Sequence, residues 1–192
     1  MNTLLKLSGL IDALNERVGK AIMWLILVVV LVSAGNAVSR KVFRMSSNAL
    51  LDLQWYLFSG VFLLGAGYAF LKNVHVRIDF VSSRLSARGR SWVDIVGILV
   101  FLAPFCGMLI EMSWPLFVKA WQSGEMSQNA GGLIRWPVYL LMPSGLALLL
   151  VQSISELIKR IAFLRGLIPD PLSHIPAESA AVATPADTPE AS

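Results

Sequence analysis

The chain has 192 residues, of which 56% are apolar and 15% charged, with a mean hydropathy of +0.67. Soluble domains carry roughly 45–50% apolar and about 25% charged residues, so the composition argues against an ordinary water-soluble enzyme and excludes a mainly disordered chain. One cysteine and two histidines leave no disulfide framework, no cysteine-based zinc site and little room for histidine metal chemistry, and the placement of the +4 net charge favours a membrane surface over nucleic acid.

Residues 1–18 read as an N-terminal segment in which Leu4–Val18 is amphipathic. Four apolar runs follow, roughly Gly19–Val38, Leu53–Leu71, Val93–Ser113 and Pro137–Ile158. Each matches the roughly 20 residues that a helix needs to cross a bilayer core of about 30 Å. The first run is too long and starts too late for a cleavable signal peptide. Residues 19–160 are therefore predicted to be a four-span membrane domain.

Lys and Arg in short loops set the orientation. Lys6, Arg17 and Lys20 precede the first span. Lys72, Arg77, Arg84, Arg88 and Arg90 lie between the second and third, and Lys159, Arg160 and Arg165 follow the fourth. These eleven outweigh the five on the other side, Arg40, Lys41, Arg44, Lys119 and Arg135, so both termini are predicted to be cytoplasmic. Trp24 and Trp92 fall near the inner boundaries, and Trp55, Trp114 and Trp136 near the outer ones, where an indole satisfies both its ring and its N–H. Residues 161–192 are rich in Pro and Ala, lack periodicity and read as a disordered cytoplasmic tail.

Ionisable groups at membrane depth are functional candidates by default. Asp94 and Glu111, 17 residues apart on the third span, are separated by about 25 Å along a helix, so each is expected to snorkel to its own interface. Asp52, Gln54, Trp55 and Tyr56 open the second span and read either as a helix cap with an aromatic belt or as a patch facing another membrane protein. Asn36 is placed to hydrogen-bond between helices. Glu156 is expected to make a helix-surface ion pair with Lys159 or Arg160. Gly60 and Gly67 share a face, and Pro104 and Pro143 are expected to bend their helices.

Two loops carry further signal. In 72–92, Val74, Ile78, Val81 and Leu85 form a helical apolar stripe beside Arg77, Arg84 and Arg88. That pattern predicts an interfacial helix on anionic lipid; a period-two strand is the rival. His75 and Asp79, four apart, read as a structural link. The outer loop 115–135 is amphipathic at its start and polar with Gly in its middle. It reads as a connector or as a surface for a soluble partner, with Glu125, Ser127 and Arg135 as docking candidates. No metal-ligand pair at i, i+4, no Ser–His–Asp set and no Gly-rich phosphate loop is present, and no cofactor is expected. The span centres hold no acids, as an ion relay would require.

The ordered set Asp52-Leu53-Gln54-Trp55-Tyr56-Leu57-Phe58, Gly65-Ala66-Gly67-Tyr68-Ala69, His75-Val76-Arg77-Ile78-Asp79, Gly124-Glu125-Met126-Ser127, Gly131-Gly132-Leu133, Trp136-Pro137 and Met142-Pro143-Ser144-Gly145 resembles the DctQ-like small membrane subunit of TRAP transporters. The resemblance runs from about residue 15 to about residue 160. It is nearest to the subgroup labelled for mannitol/chloroaromatic or α-keto acid transport. The family commonly has Glu where this chain has Asp52. The resemblance implies an all-α integral protein of the bacterial inner membrane and no enzymatic activity. It also implies a large multi-span permease as partner, forming a heterodimer, and a transient periplasmic substrate-binding protein. The complex would take up organic acids by sodium symport, with this chain as scaffold and possible docking aid. On that reading Asp52, Gln54, Trp55, Tyr56, Gly60 and Gly67 are interface candidates, and His75, Arg77 and Asp79 a cytoplasmic-side structural motif. The rival readings are a stand-alone membrane enzyme with His75 and Asp79 as acid–base groups, a channel, or a sensor.

Overall fold

The computed structural model describes residues 2–44, 47–73 and 86–169. Within them the chain forms four long helices, each apolar and long enough to span a membrane. Helix α1 is Asn2–Val42, α2 is Asn48–Leu71, α3 is Ala87–Ser123 and α4 is Trp136–Leu164.

Helix α1 runs through the expected boundary at residue 18 without a break. Its 41 residues extend about 60 Å at 1.5 Å per residue, twice the bilayer core. The N-terminal segment is therefore a continuation of the first span. Helix α2 stops at Asn73, whose φ of 53° is a left-handed value that Asn tolerates. Helix α4 is closed by Gly166, φ 72°, with the Leu167 N–H donating to Ala162 O (3.0 Å) and the Gly166 N–H to Phe163 O (2.8 Å). This is a Schellman cap.

Helix α3 exceeds the expected span at both ends. It begins at Ala87, where the Ser86 hydroxyl accepts the Gly89 N–H at 3.2 Å as an N-cap. It ends at Gly124 in the left-handed conformation, φ 62°. Pro115, which the sequence reading places at the start of a loop, lies inside the helix. Pro115 removes the i+4 donor of the Glu111 carbonyl, a tolerable loss where the helix emerges toward water. Residues Gly97–Leu102 form a π-helical segment directly before Pro104. The wider turn shifts the carbonyls away from the proline ring, so the bend expected at Pro104 is absorbed as a π-bulge.

Helix α4 is the hub. It packs on α1, α2 and α3, whereas α3 packs chiefly on α4. Close approach of α2 and α4 depends on glycine. A Cβ at Gly145 would sit 2.6 Å from the Leu63 carbonyl oxygen, and one at Gly67 would collide with the Asn15 side chain. Gly60 faces Leu25 and Leu141. The interior is otherwise small and polar: Gln152, Asn15, Ser91, Ser153 and Ser155 are fully buried, while Trp24, Phe62, Phe101 and Trp121 are exposed. This inverts a soluble core. Between lipid-facing helices there is no hydrophobic drive to bury large side chains, so close packing and hydrogen bonds hold the assembly.

Candidate functional site

Buried polar groups gather at the two ends of the bundle. At the end where α2 begins, the outer one on the orientation expected from Lys and Arg, the first turns of α2 place Asp52 against the loop between α3 and α4. Its Oδ1 accepts the Asn129 side-chain N–H at 2.8 Å, and its Oδ2 accepts the Leu133 backbone N–H at 3.1 Å. Asp52 is 7% exposed. A Cβ at Gly132 would lie 2.5 Å from Asp52 Oδ2 and 2.8 Å from Ser127 Oγ, so the loop backbone closes over the carboxylate only because Gly stands there.

The loop has its own order. Ser127 N–H donates to Leu133 O (2.8 Å) and Arg135 N–H to Glu125 O (2.9 Å), and Met126 and Ile134 form an antiparallel bridge. The Arg135 guanidinium pairs with Glu125 Oε1 at 2.7 Å. The Asn48 side chain donates to Ala130 O at 2.9 Å. Trp121 meets Trp136 edge to face, 4.6 Å between centroids, and joins the end of α3 to the start of α4. The three docking candidates Glu125, Ser127 and Arg135 thus belong to one folded loop.

At the inner end a polar stripe of α1 meets a polar stripe of α4. The Ser8 and Ser155 hydroxyls are 2.7 Å apart. Asp12 Oδ1 accepts the Gln152 side-chain N–H (2.9 Å) and the Ser155 hydroxyl (2.7 Å), while Asn15 donates to Gln152 Oε1 (2.8 Å). Lys159 bridges Asp12 Oδ2 (2.9 Å) and Glu156 Oε1 (2.6 Å). Arg160 pairs with Glu156 at 3.5 Å and reaches Asp94 on α3 at 3.2 Å.

Two expectations change here. Glu156 is not on the helix surface: it is 3% exposed and Arg160 2% exposed, and Arg160, paired with Glu156 inside α4, ties α4 to α3 through Asp94. Asp94 does not simply snorkel, because it meets Arg160 across the helices. The reading of the residues missed Ser8, Asp12, Asn15, Gln152 and Ser155 as a set. Their spacing is the available signal: 8, 12, 15 and 152, 155, 159 each follow the 3-and-4 period of one helix face.

The remaining candidates fall in different places. Trp55 points outward, 69% exposed. Gln54 donates to Val32 O on α1 at 3.5 Å. Tyr56 and Gly60 line an apolar groove of about 390 Å³ with Leu25, Leu57 and Leu141. Gly67 is buried against α1 and α4. His75, Arg77 and Asp79, with the predicted interfacial helix around them, lie outside the described residues. Among the described residues no cluster of three His, Cys, Asp or Glu is placed to hold a metal ion.

Four spans with polar clasps at both ends and an apolar middle form a membrane component. The family model for the DctQ component of tripartite ATP-independent periplasmic transporters matches residues 29–163. The chain belongs to that family. Neither a curated protein nor a solved structure matches it. As a DctQ component it is a multi-pass inner-membrane protein and a small permease subunit of a TRAP transporter, not an enzyme. The family works with a large permease subunit and a substrate-binding protein. The match includes Asp52, the outer loop and the α4 half of the inner clasp, whereas Ser8, Asp12 and Asn15 precede it.

Proposed function

We propose that this DctQ component is the membrane scaffold of a sodium-coupled TRAP transporter for organic acids. It forms a heterodimer with the large permease subunit and presents its outer loop to the periplasmic binding protein, with both termini in the cytoplasm. The observation that carries the scaffold reading is the division of polarity. The buried carboxylates and their partners sit at the ends, and the groove between them is lined by Leu25, Leu57, Gly60, Leu64 and Leu141. A path for a carboxylate or a sodium ion needs polar groups along its whole length. Solute and ion sites are then assigned to the large subunit, and sodium and organic acid come with the family's chemistry.

The contact candidates divide by the same logic. Trp55, exposed beside the outer boundary, meets the large subunit directly. Asp52 acts through the loop that it holds, and Glu125, Ser127 and Arg135 present that loop outward. Gln54, Tyr56, Gly60 and Gly67 shape the α1–α2 side of the chain.

The test is co-purification of the tagged chain from native membranes in mild detergent, followed by reconstitution. A larger multi-span protein recovered in equal amount, and uptake of a labelled organic acid that needs a sodium gradient, the binding protein and both membrane subunits, are the expected results. Flux through this chain alone would overturn the proposal in favour of a channel, as would stable recovery of the chain without any larger partner.

A further inference from the structure

The N-terminal part of α1 has three distinct sectors. Ser8, Asp12 and Asn15 face α4 and are bonded to it. Lys6 and Arg17 form a second, exposed sector. Leu7, Leu10 and Leu14 form a third and are 47%, 70% and 47% exposed. The helical spacing of these leucines continues the side on which the span shows Trp24, Val28 and Leu31 to the bilayer.

Depth follows from the inner clasp. Asn15 bonds Gln152, which lies about 24 Å along α4 from Trp136 at the outer boundary. The far edge of a core about 30 Å thick therefore falls about one helical turn beyond Asn15, so that Leu14, Leu10 and Leu7 straddle it, Lys6 lies outside it, and Arg17 reaches the headgroups by snorkelling. The acids of this segment are engaged: Asp12 with Lys159, and Glu16 with Lys20 and Lys72. Lys6 and Arg17 have no such counter-charge among the described residues.

We propose that residues 4–17 are a membrane foot, with Leu7, Leu10 and Leu14 seated in the acyl edge of the leaflet on the N-terminal side and Lys6 and Arg17 on anionic lipid headgroups. The bonds to α4 fix the rotation of the helix and so decide which sector meets lipid. An amphipathic helix with cations beside its apolar stripe binds anionic membranes by both terms. The occupant is lipid because the stripe is continuous with the lipid-facing side of the span and carries cations beside it. This inference goes beyond the subunit reading and does not rest on it, since the segment precedes residue 29, where the family match begins.

Cys106 is fully buried, so single-cysteine spin labelling of the full chain is feasible on a Cys106→Ala background. Labels at Lys6→Cys, Leu7→Cys and Leu10→Cys are compared in vesicles of phosphatidylcholine and of phosphatidylcholine with phosphatidylglycerol. The expected result is a ratio of oxygen to nickel-chelate accessibility several-fold higher at 7 and 10 than at 6. The ratio rises further with phosphatidylglycerol, and Lys6→Gln with Arg17→Gln abolishes that rise. A label at 10 that is more open to the nickel chelate than to oxygen overturns the proposal, because the stripe is then in water. Shielding from both reagents also overturns it, because a protein surface then covers the stripe. Equal ratios in the two vesicle types overturn the anionic-lipid half. Gln152→Leu provides a second check: it loosens the rotation and flattens the difference between 6 and 10.

Discussion

The outer and inner ends of the bundle solve the same problem in different ways. At the outer end one carboxylate gathers a loop, and its partners are the Ser127 hydroxyl, an amide side chain and a backbone N–H. At the inner end five charged groups and their polar neighbours join α1, α3 and α4 to each other. The outer clasp shapes a surface that faces water. The inner clasp fixes helix positions where lipid offers no alternative partner. The contrast teaches that burial alone does not define a role for a polar residue in this subunit; what it holds does.

The largest break in that comparison is expected at Arg160. Arg160→Ala removes the cation that Asp94 and Glu156 share and leaves Glu156 with Lys159 alone. Removing one partner of a buried pair costs about 3–5 kcal/mol, so thermal unfolding in detergent should fall steeply and little folded protein should be recovered. Unchanged unfolding would show that the inner end is not held by charge.

A smaller effect is expected at the outer end. Asp52→Ala leaves the Asn129 amide and the Leu133 N–H without their acceptor. An unmet buried donor costs about 1–3 kcal/mol, mostly borne by the loop. Hydrogen exchange in 127–133 should accelerate while the four spans keep their protection. Acceleration spread over α1 and α4 would mean that the two ends are one unit.

Gly145→Ala tests whether close helix approach rather than polarity sets the spacing of α2 and α4. The new methyl meets the Leu63 carbonyl, and overpacking of this kind costs about 1–3 kcal/mol. A loss of thermal stability comparable to Asp52→Ala is expected, with loop exchange unaltered. The smallest effect is expected at Gln152→Leu, which removes bonds to Asp12 and Asn15. Interhelical hydrogen bonds in membranes contribute about 0.6 kcal/mol on average, so a small shift in unfolding temperature, confined to exchange in α1, is the outcome to look for.

The spans were legible because apolar runs of about 20 residues have few other uses. The true extent of α3 was not. Arg88 and Arg90 at its start and Pro115 near its end read as loop signals, although a helix longer than the bilayer carries such residues outside the core. Asp52 stood out as an acid opening a span, yet its partners Asn129 and Leu133 lie about 80 residues away in sequence, and nothing local announces them. The stripe Ser8, Asp12 and Asn15 was readable by period, but only the fold shows that Gln152 and Ser155 answer it.

The central claim is that the clasps are internal and that partner contact belongs to the exposed rim. The most direct measurement is the amount of large subunit recovered per unit of this chain for Trp55→Ala and for Asp52→Ala, each against the parent. The account predicts a clear fall in that ratio for Trp55→Ala with the chain itself at parental level and unaltered in unfolding. For Asp52→Ala it predicts a smaller fall that tracks loop exchange. An unchanged ratio for Trp55→Ala, with complete loss for Asp52→Ala while the loop stays protected, would contradict it and make the buried carboxylate the contact.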